Sequence, residues 1–290
     1  MADFTDRTIN TPDGLRLHYR DYAGPHERPP ILCIPGLTRN ARDFEPVADR
    51  FAGEWRVIAV DLRGRGMSEY DPNPANYIPP IYAGDLLKLL DQLGIADAVF
   101  VGTSLGGIVT MLMAMHDADR MAGVLINDIG PVLEQRGLDR IGSYVGQAVS
   151  YANWDDLADD LHARNADVFP NFSRHQWLAY AHRVAVERKG KIVFDYDPRL
   201  AEPFRATADA PPMDIWTYYE ALSGRPVTIL RGELTDLFAL DVAERMVSAI
   251  PDVELVTIPG VGHAPMLDEP ESSAAIERLL ERVLAREDAA

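Results

Sequence analysis

Ala98-Val99-Phe100-Val101-Gly102-Thr103-Ser104-Leu105-Gly106-Gly107-Ile108-Val109-Thr110-Met111-Leu112-Met113-Ala114-Met115 is the stretch on which the fold turns. Its first four residues are apolar and include two valines, as a buried strand requires. From Ile108 to Met115 the chain is apolar enough for a buried helix. Between them a serine stands in Gly-x-Ser-x-Gly, at a strand-to-helix turn so sharp that side chains flanking it would collide. Glycine at 102 and 106 removes those collisions, and Gly107 lets the helix pack closely. The Ser104 hydroxyl then stands at the positive end of a helix, where negative charge is favoured.

A serine in that position needs a base, and the base needs an acid to orient it. Of seven histidines, His263 has the best context. It follows the strand-like Val253-Glu254-Leu255-Val256-Thr257-Ile258, and Gly260 and Gly262 flank it in a loop. His18 falls in an N-terminal strand, His26 in a Pro-rich turn and His116 near a helix end. His162, His175 and His182 fall on polar helical stretches. The acid should lie between serine and histidine in chain order. Asp236 is preferred, after the strand Pro226-Val227-Thr228-Ile229-Leu230-Arg231-Gly232; Asp128, at the end of Leu125-Ile126-Asn127, is its rival, and Glu233 ranks below both.

Four stretches together resemble the α/β-hydrolase superfamily, in its serine-nucleophile branch with a helical cap. They are Ile31-Leu32-Cys33-Ile34-Pro35-Gly36-Leu37, Asp61-Leu62-Arg63-Gly64-Arg65-Gly66-Met67-Ser68 after a strand, the Ser104 turn, and Val261-Gly262-His263-Ala264-Pro265 with Asp236. Where many relatives have His-Gly, this chain has Pro35-Gly36. The resemblance implies a triad of Ser104, Asp236 and His263, an oxyanion hole from the backbone amides of Leu37 and Leu105, and no cofactor. It implies hydrolysis of a small apolar ester or lactone. Relatives that cleave C–C bonds of meta-cleavage products are the runner-up, although their Gly-rich oxyanion loop and the tryptophan after the histidine are missing here. Enol-lactonases and perhydrolases also fit, and a ligand receptor that retains the triad is the alternative from another class. Dehalogenases and epoxide hydrolases of this fold use aspartate at the turn, which Ser104 excludes.

The rest of the chain agrees with a doubly wound α/β architecture built on a mostly parallel eight-stranded sheet. Strands are expected near 6–10, 15–21, 30–35, 56–61, 97–103, 121–128, 226–231 and 253–258, the first two as a hairpin through Pro12-Asp13-Gly14. Helices are expected near 43–52, 79–94, 105–118, 240–250 and 270–287. The alternation breaks from 131 to 222, a run of helices and turns. This implies a core domain of 1–130 and 223–290, with 131–222 as a helical cap inserted before the penultimate strand. That run holds 13 of the chain's 24 aromatic residues. Trp177 and Trp216 are therefore expected at an apolar pocket whose floor includes Met266 and Leu267. Arg39 either pairs with Asp43 or anchors a substrate carboxylate, and Arg63 and Arg65 are expected to fix the loop after Asp61.

With 45 acidic against 28 basic residues the net charge is −17, which argues against nucleic acid or an anionic membrane as partner. A small-molecule acyl substrate is expected instead, and a homo-oligomer stays open. The single Cys33 forms no disulfide within the chain, and no pattern points to a metal. The acidic start Met1-Ala2-Asp3-Phe4 lacks a signal-peptide pattern, so the cytoplasm is the expected location.

Overall fold

The computed structural model describes residues 1–207 and 215–287. In chain order the strands are β1 (Phe4–Asn10), β2 (Arg16–Tyr22), β3 (Ile31–Ile34), β4 (Val57–Val60), β5 (Ala98–Thr103) and β6 (Met121–Asn127). They continue as β7 (Ser150–Tyr151), β8 (Ala185–Arg188), β9 (Lys191–Phe194), β10 (Val227–Gly232) and β11 (Val253–Ile258). The helices are α1 (Glu45–Phe51), α2 (Pro79–Leu93), α3 (Leu105–His116), α4 (Gln135–Tyr144) and α5 (Trp154–Asn165). After them come α6 (Arg174–Val184), α7 (Ala201–Thr207), α8 (Ile215–Glu220), α9 (Leu240–Ala249) and α10 (Pro270–Glu287).

Eight strands form one sheet in the order β1-β2-β4-β3-β5-β6-β10-β11. The β1–β2 and β2–β4 pairs are antiparallel, and every later neighbour is parallel. All eight are the strands expected from the sequence, and the five expected helices are present too.

The central strands β3 to β6 are apolar and buried along almost their whole length because helices cover both faces of the sheet. Side chains alternate between those faces. Leu32, Ile34, Phe100, Ile126 and Ile229 pack with α2, α3 and α9, while Ile31, Cys33, Val101, Leu125 and Leu230 pack with α1 and α10. Two such layers fix the parallel strands in register and bring their carboxyl ends to one edge.

Between β6 and β10, which are direct neighbours, the chain leaves the sheet. Among the described residues of 131–222 no strand joins the eight-stranded sheet. The segment has its own core of Leu157, Leu161, Phe169, Trp177, Ala181 and Ile192. It also carries a second, three-stranded antiparallel sheet, β7-β9-β8, where helices and turns alone were expected. The β8–β9 hairpin turns at Lys189-Gly190, both at positive φ, the pairing that suits the twist of a two-residue hairpin loop. Among the described residues no helix is long and apolar enough to cross a membrane.

Candidate active site

Ser104 occupies the turn between β5 and α3 with φ 52° and ψ −114°, a conformation that costs a residue with a side chain free energy unless its surroundings enforce it. The enforcement is visible at the two glycines. A Cβ on Gly106 would lie 2.1 Å from the Ile34 carbonyl oxygen, and one on Gly102 would lie 2.6 Å from the Gly106 carbonyl carbon. The start of α3 is thus pressed against the end of β3, and the Ser104 N–H donates to the Asn127 carbonyl at 2.9 Å.

His263 lies in the loop after β11. That loop is held from three sides: the Gly262 N–H donates to Val168 O, the Gly260 N–H to Glu233 Oε2, and Asn127 Nδ2 to Pro265 O. The ring reaches Ser104 Oγ through Nε2 at 2.9 Å and Asp128 Oδ2 through Nδ1 at 2.8 Å. An ionised carboxylate only accepts, so Nδ1 carries its proton toward Asp128 and Nε2 faces the serine hydroxyl as an acceptor.

Asp128, not Asp236, therefore orients the histidine. Asp128 follows β6 directly, at φ 56°, and is fully buried. Its carboxylate is satisfied all round, with Gly232 N–H on Oδ1 at 2.9 Å and Thr235 Oγ1 on Oδ2 at 2.7 Å. Asp236 lies one residue beyond that threonine and turns the other way, into a two-bond pair with Arg140 at 2.6 and 2.7 Å. Burial pushes the Asp236 carboxyl up, but the hydrogen bonds and charge of Arg140, with a smaller contribution from His263, hold it below the ordinary carboxylate value. The acid still lies between serine and histidine in chain order; it comes one strand earlier than expected.

The loop after β3 lies beside the serine. A Cβ on Gly36 would sit 3.8 Å from Ser104 Cβ. The N–H groups of Leu37 and Leu105, the two expected oxyanion donors, have no acceptor among the described residues. Arg65 is fully buried and donates from Nε to the Leu37 carbonyl at 2.8 Å. Asp61 accepts from the Ala41 N–H at 2.7 Å and the Met67 N–H at 2.9 Å. Both ties fix the donor loop from the neighbouring strand end. Arg63 is enclosed by Asp13, Asp71 and Asp85 and braces the loop after Asp61.

The profile of the alpha/beta hydrolase family matches residues 31–276. The chain belongs to that family. It is 32% identical over 276 residues to the 3-hydroxybutyrate-oligomer hydrolase of Cupriavidus necator, covering 91% of this chain and 92% of the relative. It is 29% identical over 240 residues to the 2-(acetamidomethylene)succinate hydrolase of Mesorhizobium japonicum, covering 81% of each. The crystal structure of an alpha/beta hydrolase from Novosphingobium aromaticivorans superposes with a TM-score of 0.93 at 50% identity, over 97% of this chain and 99% of that one. The protein is a hydrolase.

The hydrolase cleft opens above Ser104 and His263, and Leu37, Met266 and Leu267 form part of its wall. Arg39 also reaches the wall, while donating to Asp43 at 2.7 and 2.6 Å with its guanidinium carbon 4.5 Å from the Tyr180 ring centre. The two tryptophans do not line the cleft. Trp177 is buried within the inserted segment, its ring against Phe169, Phe172 and Tyr180 and stacked on His162. Trp216 packs beside Tyr219 on α8 and under Arg245 of α9. Both assignments to the substrate pocket are corrected: Trp177 fills the inserted segment's own core, and Trp216 packs against the core of the main sheet. The aromatic residues that do reach the cleft include Tyr144, Phe169, Tyr180 and Phe194. Arg140 joins them from the same face of α4 as Tyr144, a placement not drawn from the sequence although the four-residue spacing carries it. Among the described residues no group of three or more His, Cys, Asp or Glu side chains could hold a metal ion.

Proposed function

We propose that this hydrolase cleaves small carboxylic esters, lactones included, through an acyl-enzyme on Ser104. The observation that carries the reading is the unbroken relay from Ser104 Oγ through His263 to Asp128, at 2.9 and 2.8 Å. His263 Nε2 takes the serine proton as Oγ bonds to the ester carbonyl carbon, and Asp128 stabilises the imidazolium that results. The oxyanion is received by the Leu37 and Leu105 N–H groups, each worth about 3 kcal/mol to the transition state. His263 then passes its proton to the leaving alkoxide as the C–O bond breaks. Water, deprotonated by the same imidazole, releases the acid and restores the serine.

The cleft's walls favour an acyl or aryl ester over a peptide or sugar, since Leu37, Phe169, Val184, Phe194 and Met266 give it apolar surface. A relative named for 3-hydroxybutyrate oligomers, which are chains of ester-linked units, supports the same bond type. Residues 131–222 act as the cap over this cleft in our reading, and the acidic surface keeps nucleic acid and membrane out of the list of partners. The location we propose is the cytoplasm. A panel of nitrophenyl esters, lactones and dienoates tests the proposal. Turnover is expected on esters or lactones and is abolished by Ser104→Ala without loss of the fold. Turnover of dienoates alone, or a fully active Ser104→Ala protein, would overturn it.

A further inference from the structure

The charge of the cleft is opposite to that of the molecule. In a chain of net charge −17, the wall above Ser104 carries three guanidinium groups, Arg39, Arg140 and Arg164, against one carboxylate, Asp43. The aspartates that pair with the other two arginines, Asp236 and Asp160, lie outside the wall. Two of the cations meet two tyrosines. Tyr144 follows Arg140 by one turn of α4, and the Tyr180 ring lies under the Arg39 guanidinium.

We propose that Arg39, Arg140, Tyr144 and Tyr180 form a carboxylate-binding subsite, so that the preferred esters carry a free carboxylate. This rests on the ester-hydrolase reading and narrows its substrate class. Each guanidinium uses Nε and one terminal nitrogen on its aspartate. The other terminal nitrogen of each has no protein acceptor among the described residues, and neither tyrosine hydroxyl has a hydrogen-bond partner there. A carboxylate at this place completes four donors that the fold leaves open, two of them charged. Burial, with the nearby Tyr180, pushes the Tyr144 hydroxyl up to about 12 despite Arg39 and Arg140. It therefore stays protonated at neutral pH and serves as a donor. The aspartates hold the two forks in place, which spares the ligand the cost of ordering long side chains.

The alternative is that these arginines only tie the inserted segment to the core, as Arg140 does through Asp236. The two readings differ in binding. Ser104→Ala protein is titrated in a calorimeter with 3-butyryloxybutanoate, whose carboxylate is on the alcohol part, and with monoethyl adipate, whose carboxylate is on the acyl part. Each is compared with its primary amide. In at least one pair the carboxylate is expected to bind roughly tenfold tighter or more, and the pair that does so tells which side of the ester faces the subsite. Tyr144→Phe with Tyr180→Phe, which keeps both rings, should reduce that ratio severalfold. Equal binding of acid and amide in both pairs, no measurable binding of either acid, or a ratio unchanged in the double variant would overturn the subsite. Because the readout is binding, it stands even if the wild-type protein hydrolyses neither ester, an outcome that would count against the ester reading alone.

Discussion

Two buried polar side chains near the site are each held by several partners, and the cost of leaving such a group unpaired explains the arrangement. Asp128 shows this at the site, where two protein donors fix the carboxylate before His263 approaches. His18 shows it on β2, beside the end of β4 that carries Asp61. It is 3% exposed, with Nδ1 2.7 Å from Asp61 Oδ2 and Nε2 2.8 Å from Asp6 Oδ1. Burial lowers the imidazole pKa, but the hydrogen bonds and charges of Asp61 and Asp6 outweigh it and hold the group above its ordinary 6.5. Folding thus favours the protonated ring. The stability this gives is fully present below the unfolded value of 6.5 and is lost as pH rises through the folded value. The melting temperature should therefore decline from about pH 6 to about pH 9 more steeply in wild type than in His18→Gln. Parallel profiles for the two proteins would remove His18 as the cause.

At the level of elements, the regular part of the fold was legible and the inserted part was only partly so. Apolar strands bounded by glycine and proline, each followed by an amphipathic or buried helix, are signals that do not depend on distant partners, and β1 to β6, β10 and β11 came from them. The small sheet β7-β9-β8 did not, because β7 is two residues long and β8 reads as a continuation of the helix before it. Val186-Glu187-Arg188 and Lys191-Ile192-Val193 around Lys189-Gly190 were the available sign of a hairpin. Ser104 and His263 were legible from their loops, but the acid was not. Asp128 and Asp236 both follow a strand of the same sheet, and only the side-chain partners, Thr235 and Gly232 for one and Arg140 for the other, separate them. The tryptophans were misplaced for a related reason, since composition counts rings without saying which way they face. Trp177→Ala should cost about 3–5 kcal/mol of stability, as truncation of a buried ring does, and leave the preference between short and long acyl esters unchanged. Melting temperature measured beside kcat/KM for the two esters checks this. A shifted preference at unchanged stability would return Trp177 to the pocket.

On the scale of the whole molecule, the parallel part of the sheet explains how residues far apart in sequence meet. All its strands end on one edge, where ligands of open α/β sheets bind. Leu37 follows β3, Ser104 follows β5, Asp128 follows β6, Thr235 follows β10 and His263 follows β11. The inserted segment is moored over that edge at several points. Asn40 and Arg42 donate to Arg183 O, Arg42 pairs with Asp195, and Arg140 pairs with Asp236. In this arrangement Asp236 belongs to the mooring and Asp128 to the relay, a division that a kinetic comparison of two isosteric variants tests most directly. With a nitrophenyl ester as substrate, Asp128→Asn should lower kcat by about 10³–10⁴ through loss of the correct His263 tautomer. Asp236→Asn should keep kcat within about tenfold of wild type while lowering the melting temperature, because Arg140 loses its charged partner. The reverse order, with Asp236→Asn the crippled enzyme and Asp128→Asn nearly intact, would contradict the account.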